Sequence, residues 1–277
     1  MSQQKMAVDL VGADLVGIGV WGPAFNNWAE LQTLLANPAI GEELQWAMQT
    51  PKPEIIPANE RRRAPLPVRA AVEVSWQALQ QAGLASSEVA CVFGSGLGDT
   101  EITDYMCRVL TTPEKQLSPT KFHNSVHNAA AGYWTISTGC MKSANSIAAY
   151  QNTAGLALLE AMIQCQQHNE PVLVTLFDTA AHDAYRQIFA CEYSFAVALL
   201  IVPAGTAAAP LARLAISAEN SEAVAAPELP CTQLAALYRD NPSAKVLGLL
   251  QQLAQKQTGQ CAFALSPARA LNLEVSF

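Results

Sequence analysis

Seven cysteines and four histidines are the side chains here best suited to covalent, acid–base or metal chemistry, yet their spacing assigns little of it. Cys91, Cys107, Cys140, Cys165, Cys191, Cys231 and Cys261 form no C-x-x-C pair and are odd in number. Most sit in apolar surroundings, as in Val89-Ala90-Cys91-Val92-Phe93, and read as buried, reduced thiols of a cytoplasmic protein. Cys140 has only Lys142 close in sequence, too little to lower a thiol pKa, and reads as a structural thiol. His123 and His127 are four apart and could share a helical face, but the Glu of a zinc-protease helix and a third ligand are missing, so no metal is expected. His168 and His182 carry no motif, and no histidine follows His182.

Glycine-rich stretches give no cofactor either. Gly94-Ser95-Gly96-Leu97-Gly98 lacks the Lys-Ser/Thr of a phosphate loop, and Gly17-Ile18-Gly19 lacks the third glycine of a dinucleotide fingerprint. Both read as tight turns after buried strands. No G-x-S-x-G elbow occurs. Arg61-Arg62-Arg63 is the one dense basic cluster: a solvated surface run, or a docking point for an acidic partner.

The elements that must position these residues alternate. Strands are expected over 14–21, 89–93, 143–149, 171–177, 195–203, 211–217 and 271–277. Helices are expected over 28–35, 68–82, 102–110, 129–137, 152–167, 234–238 and 244–257. Val72, Trp76, Leu79 and Ala82 form the stripe of the 68–82 helix, and Gly83 is its stop. The proline-punctuated stretch 41–67 reads as an irregular surface excursion. The alternation predicts a layered α/β fold.

Composition narrows the setting. Of 277 residues, 51% are hydrophobic and only 14% charged, which suggests a buried subunit interface. A net charge of −7 speaks against a nucleic-acid partner. No apolar run reaches the ~18 residues of a membrane span. The N-terminus does not read as a signal peptide.

One ordered set of markers is more specific. Ser118-Pro119, Asn124, Gly132 and Gly139 precede Ala149-Tyr150-Gln151 without a gap. Upstream stand Gly17-Ile18-Gly19-Val20-Trp21-Gly22-Pro23, the Ala-rich run to Gly83, and Val92 to Gly98; downstream comes 192–202. Together they resemble the β-ketoacyl synthases over about residues 14–203. In that family a Thr-Ala-Cys occupies the place of Ala149-Tyr150-Gln151, so Gln151 replaces the nucleophilic cysteine. A carboxamide cannot form the acyl thioester that condensation requires. The two histidines and the Phe-Gly-Phe-Gly-Gly oxyanion segment that the family carries in its second half are also missing here.

The resemblance is nearest to the shortened chain-length factor of aryl polyene biosynthesis, which carries Gln in place of Cys. It implies a thiolase-like layered fold (α-β-α-β-α) with a complete N-terminal half, residues 1–205, and an abbreviated second half, residues 206–277, on the same core. It implies no catalytic residue, no cofactor, and a heterodimer with a catalytic ketosynthase subunit. The acyl carrier protein would be met mainly through that subunit. The implied partner edge is Ser143, Ala144, Asn145, Ser146, Ile147, Ala148 and Ala149. The implied tunnel and gating residues are Tyr105, Met106, Val109 and Phe122, and Arg61, Arg62 and Arg63 are docking candidates. The rival readings are an active acyltransferase using another nucleophile such as Cys140, and a purely structural subunit.

Overall fold

A computed structural model of the chain describes residues 11–37, 46–217 and 225–277. The N-terminal segment read against a signal peptide and the start of the 41–67 stretch lie mostly or partly outside these residues. The first strand, β1 (Gly12–Trp21), holds Gly17 and Gly19 in its interior rather than in a turn. A Cβ on Gly17 would lie 2.2 Å from Ala78 O, and one on Gly19 would lie 1.9 Å from Val74 O. The two glycines therefore let a helix lie directly on the strand, which corrects their reading as turn residues. That helix is Leu66–Ala82. Gln81 Oε1 accepts from Ile18 N at 2.7 Å and Gln77 Oε1 from Val20 N at 3.1 Å, satisfying strand donors.

In chain order the helices are α1 (Trp28–Ala36), α2 (Ala58–Arg63), α3 (Leu66–Ala82), α4 (Thr100–Thr111), α5 (Pro119–His123), α6 (Ala129–Thr138), α7 (Thr153–His168), α8 (Thr232–Asp240) and α9 (Leu247–Gln255). The stretch expected to be irregular thus contains α2 and the start of α3. Pro67 sits in the first turn of α3, where its missing N–H costs nothing. Gly83 ends α3 in the left-handed region at φ 67°.

The remaining strands are β2 (Ala90–Gly94), β3 (Ala144–Ile147), β4 (Val172–Asp178), β5 (Phe195–Pro203), β6 (Ala212–Ile216), β7 (Gly259–Ser266) and β8 (Arg269–Ser276). They form one eight-stranded sheet in the order β3-β2-β4-β5-β1-β6-β8-β7. The β3-β2-β4 edge is parallel; every other pairing is antiparallel. β7 was not anticipated. Its alanines and glutamine are poor strand formers, although Cys261, Phe263 and Leu265 alternate with period two.

The core lies in two clusters. One, between the sheet and helices α3 and α6, includes Phe93, Trp134 and Leu173. The other holds α1, α7 and α9 against the opposite face and is closed by β6 to β8. The sheet folds over α7, which touches β2 and β4 on one side and β7 on the other. Gly155 makes that second contact possible, since a Cβ there would lie 2.6 Å from Ala264 O. The arrangement is the layered, thiolase-like α/β fold. Among the described residues no third buried cluster lies beyond β7 and β8.

Candidate functional site

The chain leaves β3, turns sharply, and enters α7. Tyr150 takes up the turn at φ 49°, in the left-handed region that costs a non-glycine residue ~1–2 kcal/mol. Surrounding contacts hold it there. Thr153 Oγ1 donates to Tyr150 O at 2.8 Å and accepts from Ala149 N at 2.9 Å. A Cβ on Gly96 would lie 2.6 Å from Tyr150 O, so the glycine turn after β2 is pressed against the elbow. Gln151 follows, part-buried, with its Oε1 enclosed and without a hydrogen-bond partner. A strand, a strained turn and a helix thus present one side chain, and that side chain is a carboxamide.

A second set of residues ties this elbow to the end of the chain. Asp178 closes β4, fully buried. Its Oδ1 accepts from Ser95 Oγ at 2.9 Å and Leu97 N at 2.8 Å, and its Oδ2 from Gly96 N at 3.2 Å and Ser243 Oγ at 2.6 Å. Burial raises the carboxyl's pKa, while these donors pull it down. Asn241 Nδ2 donates to Asp178 O and Tyr193 O, and Asn241 Oδ1 accepts from Ser243 N and Ala244 N. The short 3₁₀ turn Pro242–Val246 is thereby fixed, and it brings Lys245 to the wall of the cavity that Gln151 also lines. Sequence reading missed Asp178, Asn241, Ser243 and Lys245. The available signals were a lone acid ending an apolar strand and an Asn-Pro-Ser cap.

Gln151 and Lys245 share a cavity of about 250 Å³ with Asn152, Gly155, Tyr238 and Phe263. Lys245, Tyr238 and Phe263 also line a neighbouring cavity of about 570 Å³ whose other walls include Gln252 and Gln260. Burial lowers the pKa of Lys245, but its Nζ donates to Tyr238 O at 2.6 Å and Arg239 O at 3.0 Å. Among the described residues no cysteine or histidine lines the smaller cavity, while Cys261 lines the larger one.

The other expected residues are dispersed. Tyr105, Met106 and Val109 lie half-buried on α4. Tyr105 is pinned: its hydroxyl accepts from Ser118 N at 2.9 Å, and Lys121 Nζ stands 4.0 Å above its ring. Phe122, 57% exposed on α5, lines an apolar cavity of about 670 Å³ with Val126, Tyr133 and Ile136; Tyr105, Met106 and Val109 lie outside it. Of the expected strand 143–149 only Ala144–Ile147 is strand, and it forms the end of the sheet. Arg61, Arg62 and Arg63 end α2, bonded to Pro53 O, Asn59 Oδ1 and Glu60 Oε1. His123 ends α5, while His127 lies past it with Nε2 3.3 Å from Ser95 O, so the two do not share a helix.

Cys140 differs from its sequence reading. The fold brings Cys91 to it, and the hydrogen bond from that thiol, with further help from Lys142 N–H, lowers Cys140 to about 6. Cys140 is nevertheless only 3% exposed and lies outside the Gln151 cavity.

The model of the β-ketoacyl synthase N-terminal domain matches residues 36–262. No curated protein matches the sequence. Three solved structures each match over 96% of this chain and 99% of theirs. A chain of the ketosynthase in complex with its chain length factor from Xenorhabdus doucetiae has a TM-score of 0.68 at 20% identity. A chain of the ishigamide ketosynthase/chain length factor gives 0.69 at 13%. A chain from a type II polyketide acyl-carrier protein in complex with its ketosynthase bound to the hexaketide gives 0.73 at 11%. At these identities the likeness is one of fold.

Proposed function

The chain belongs to the β-ketoacyl synthase family, and on that premise we propose that it is a chain-length factor. It is the non-catalytic partner of an active ketosynthase in the cytoplasm, completing and limiting the acyl tunnel during polyene or fatty-acyl elongation. The observation that carries this reading is Gln151 on an intact elbow. The fold holds the strained Tyr150 turn in place, yet the presented group cannot accept an acyl chain. Neighbours assembled as ketosynthase and chain length factor, matched along nearly their whole length, support the same assignment.

In this reading residues 1–205 form the ketosynthase-like half and 206–277 the truncated one. The partner pairs along β3 and brings the cysteine and histidines. Tyr105, Met106, Val109 and Phe122 supply the tunnel floor, where overpacking by a methylene or two costs ~1–3 kcal/mol and so ends chain growth sterically. The carrier protein is met mainly through the ketosynthase, with Arg61 to Arg63 as a secondary docking point; one structural neighbour holds an acyl-carrier protein.

Co-expression with ketosynthases tests the proposal. One should co-purify, and condensation should require both chains. Tyr105→Ala should lengthen the carrier-bound products seen by mass spectrometry. An unchanged length distribution in an intact, active complex would leave a structural subunit. The lowered pKa of Cys140 is the one observation favouring an acyltransferase, and an acyl adduct on the isolated chain would establish it.

A further inference from the structure

We propose that Cys91 and Cys140 form a redox-modification site, a dithiol that closes to a disulfide when a hydroperoxide reaches it. The inference stands on the placement of two sulfurs and does not depend on the assembly read above. Cys91 lies in β2, wholly buried, and Cys140 follows Gly139, the left-handed cap of α6. The two sulfurs converge on one carbonyl, donating to Val89 O at 3.6 and 3.4 Å. The chain after Cys140 runs beside Cys91, whose N–H donates to Ser143 O at 2.9 Å. Adjacent positions of this kind are what a disulfide needs.

The pair is also chemically divided. The nearby Cys91 thiol lowers Cys140 to about 6, which favours loss of its proton to the thiolate, the form that attacks a peroxide. The same contact, with burial, raises Cys91 well above the ordinary thiol range and keeps its proton. Cys140 itself is 3% exposed and the next residue, Met141, 94% exposed, so a peroxide must reach the pair through a local opening of the segment after α6.

The chemistry closes in two steps. The Cys140 thiolate attacks one peroxide oxygen, the O–O bond breaks, and hydroxide leaves, giving a sulfenic acid. The Cys91 sulfur then attacks the Cys140 sulfur, the S–O bond breaks, and the departing hydroxide takes the Cys91 proton as water. Two thiols and hydrogen peroxide become a disulfide and two waters.

The test uses the full chain, alone or with its partner. It is reduced, exposed to stoichiometric hydrogen peroxide at neutral pH, blocked with a thiol alkylator and digested without reductant. The expected result is a Cys91–Cys140 cross-linked peptide, lighter by two hydrogens and reversed by dithiothreitol. Met141 oxidation would instead add an oxygen. In Cys91→Ser, dimedone should trap Cys140 as the sulfenic acid. A folded wild-type chain whose Cys91 and Cys140 both remain alkylatable would overturn the proposal. So would a cross-link that forms only after denaturation, or a Cys140 sulfinic acid beside a free Cys91.

Discussion

The two ends of the sheet are finished in opposite ways. At one end β3 is four residues long and bonded only to β2. Ser143 O and Ile147 O accept from Cys91 N and Ser95 N, so the alternate residues Ala144 and Ser146 turn their N–H and C=O groups outward. Exposed Ile136, Met141 and Tyr150 lie in the segments that lead into and out of this edge. At the other end β7 is an eight-residue strand turned back along β8 and laid over α7, with Phe263 buried and Gln260 O accepting from Gln252 Nε2. An edge strand normally carries charge, a bulge or a cover against stray pairing. The β7 end has its cover within the chain. The β3 end combines outward backbone groups with apolar side chains, the combination a partner strand would complete.

The sharpest way to break this contrast is Ser146→Pro. The substitution deletes an outward N–H and places a ring on the open edge, while the bonds from β3 to β2 use the neighbouring residues. Leaving the partner's acceptor unpaired costs ~1–3 kcal/mol, so affinity for a co-expressed ketosynthase should fall roughly 10- to 100-fold. Circular dichroism and melting of the isolated chain should be little changed. Undiminished binding by titration calorimetry would mean that the partner does not use this edge.

At the covered end the matching substitution is Gly155→Val. Its Cβ would have to occupy space 2.6 Å from Ala264 O and 3.0 Å from Phe263 Cβ, and backbone cannot swing aside as a side chain can. Overpacking of this kind costs ~1–3 kcal/mol, read as a lower denaturation midpoint, with hydrogen exchange increased in 259–276 and not in 144–147. Uniform loss of protection would show that the two ends are not energetically distinct.

Between these ends, Asp178 joins the turn after β2 to the 3₁₀ turn Pro242–Val246 and makes stability pH-dependent. Its carboxyl pKa is raised in the folded chain, chiefly by burial. A raised acid contributes stability that is complete below its unfolded pKa, ~3.9, and is lost as pH rises through the folded value. Asp178→Asn should remove that decline, flattening midpoint against pH above about 4. It should also lower stability throughout, since an amide cannot accept from all four donors. A parallel pH profile in the variant would assign the slope to other groups.

Much of the frame was legible in the sequence because it depends on local pattern. The strands β1, β2, β4 and β5 are apolar runs bounded by turn residues, and α3 and α7 carry long apolar faces with clear ends. What was not legible depends on contacts between distant residues. Gly17 and Gly19 suggest a turn until α3 is known to lie across them. Cys140 acquires its low pKa from a thiol 49 positions away in sequence (140 − 91). Asp178 gains meaning only when Ser243 reaches it, and β7 is a strand because β8 and α7 hold it there. Gln151 was found through a resemblance. The structure adds the strained elbow beneath it and the lysine that shares its cavity.

The mildest test separates apolar surface kept for a partner from apolar surface that merely tolerates water. Ile136 is 83% exposed and Met141 94%, so neither contributes much to the folding of the isolated chain. Replacing both with Ser should change its stability by no more than about 0.5 kcal/mol, the ordinary range for surface sites. If the β3 end is an interface, the same double variant should weaken assembly, because each side chain would forfeit burial worth ~25 cal/mol per Å². It should also make the unpartnered chain more soluble, since the patch that drives self-association is reduced. Analytical ultracentrifugation of the chain with and without its ketosynthase reads both effects. Unchanged assembly and unchanged self-association together would place the interface elsewhere and leave the apolar rim of β3 without a role in pairing.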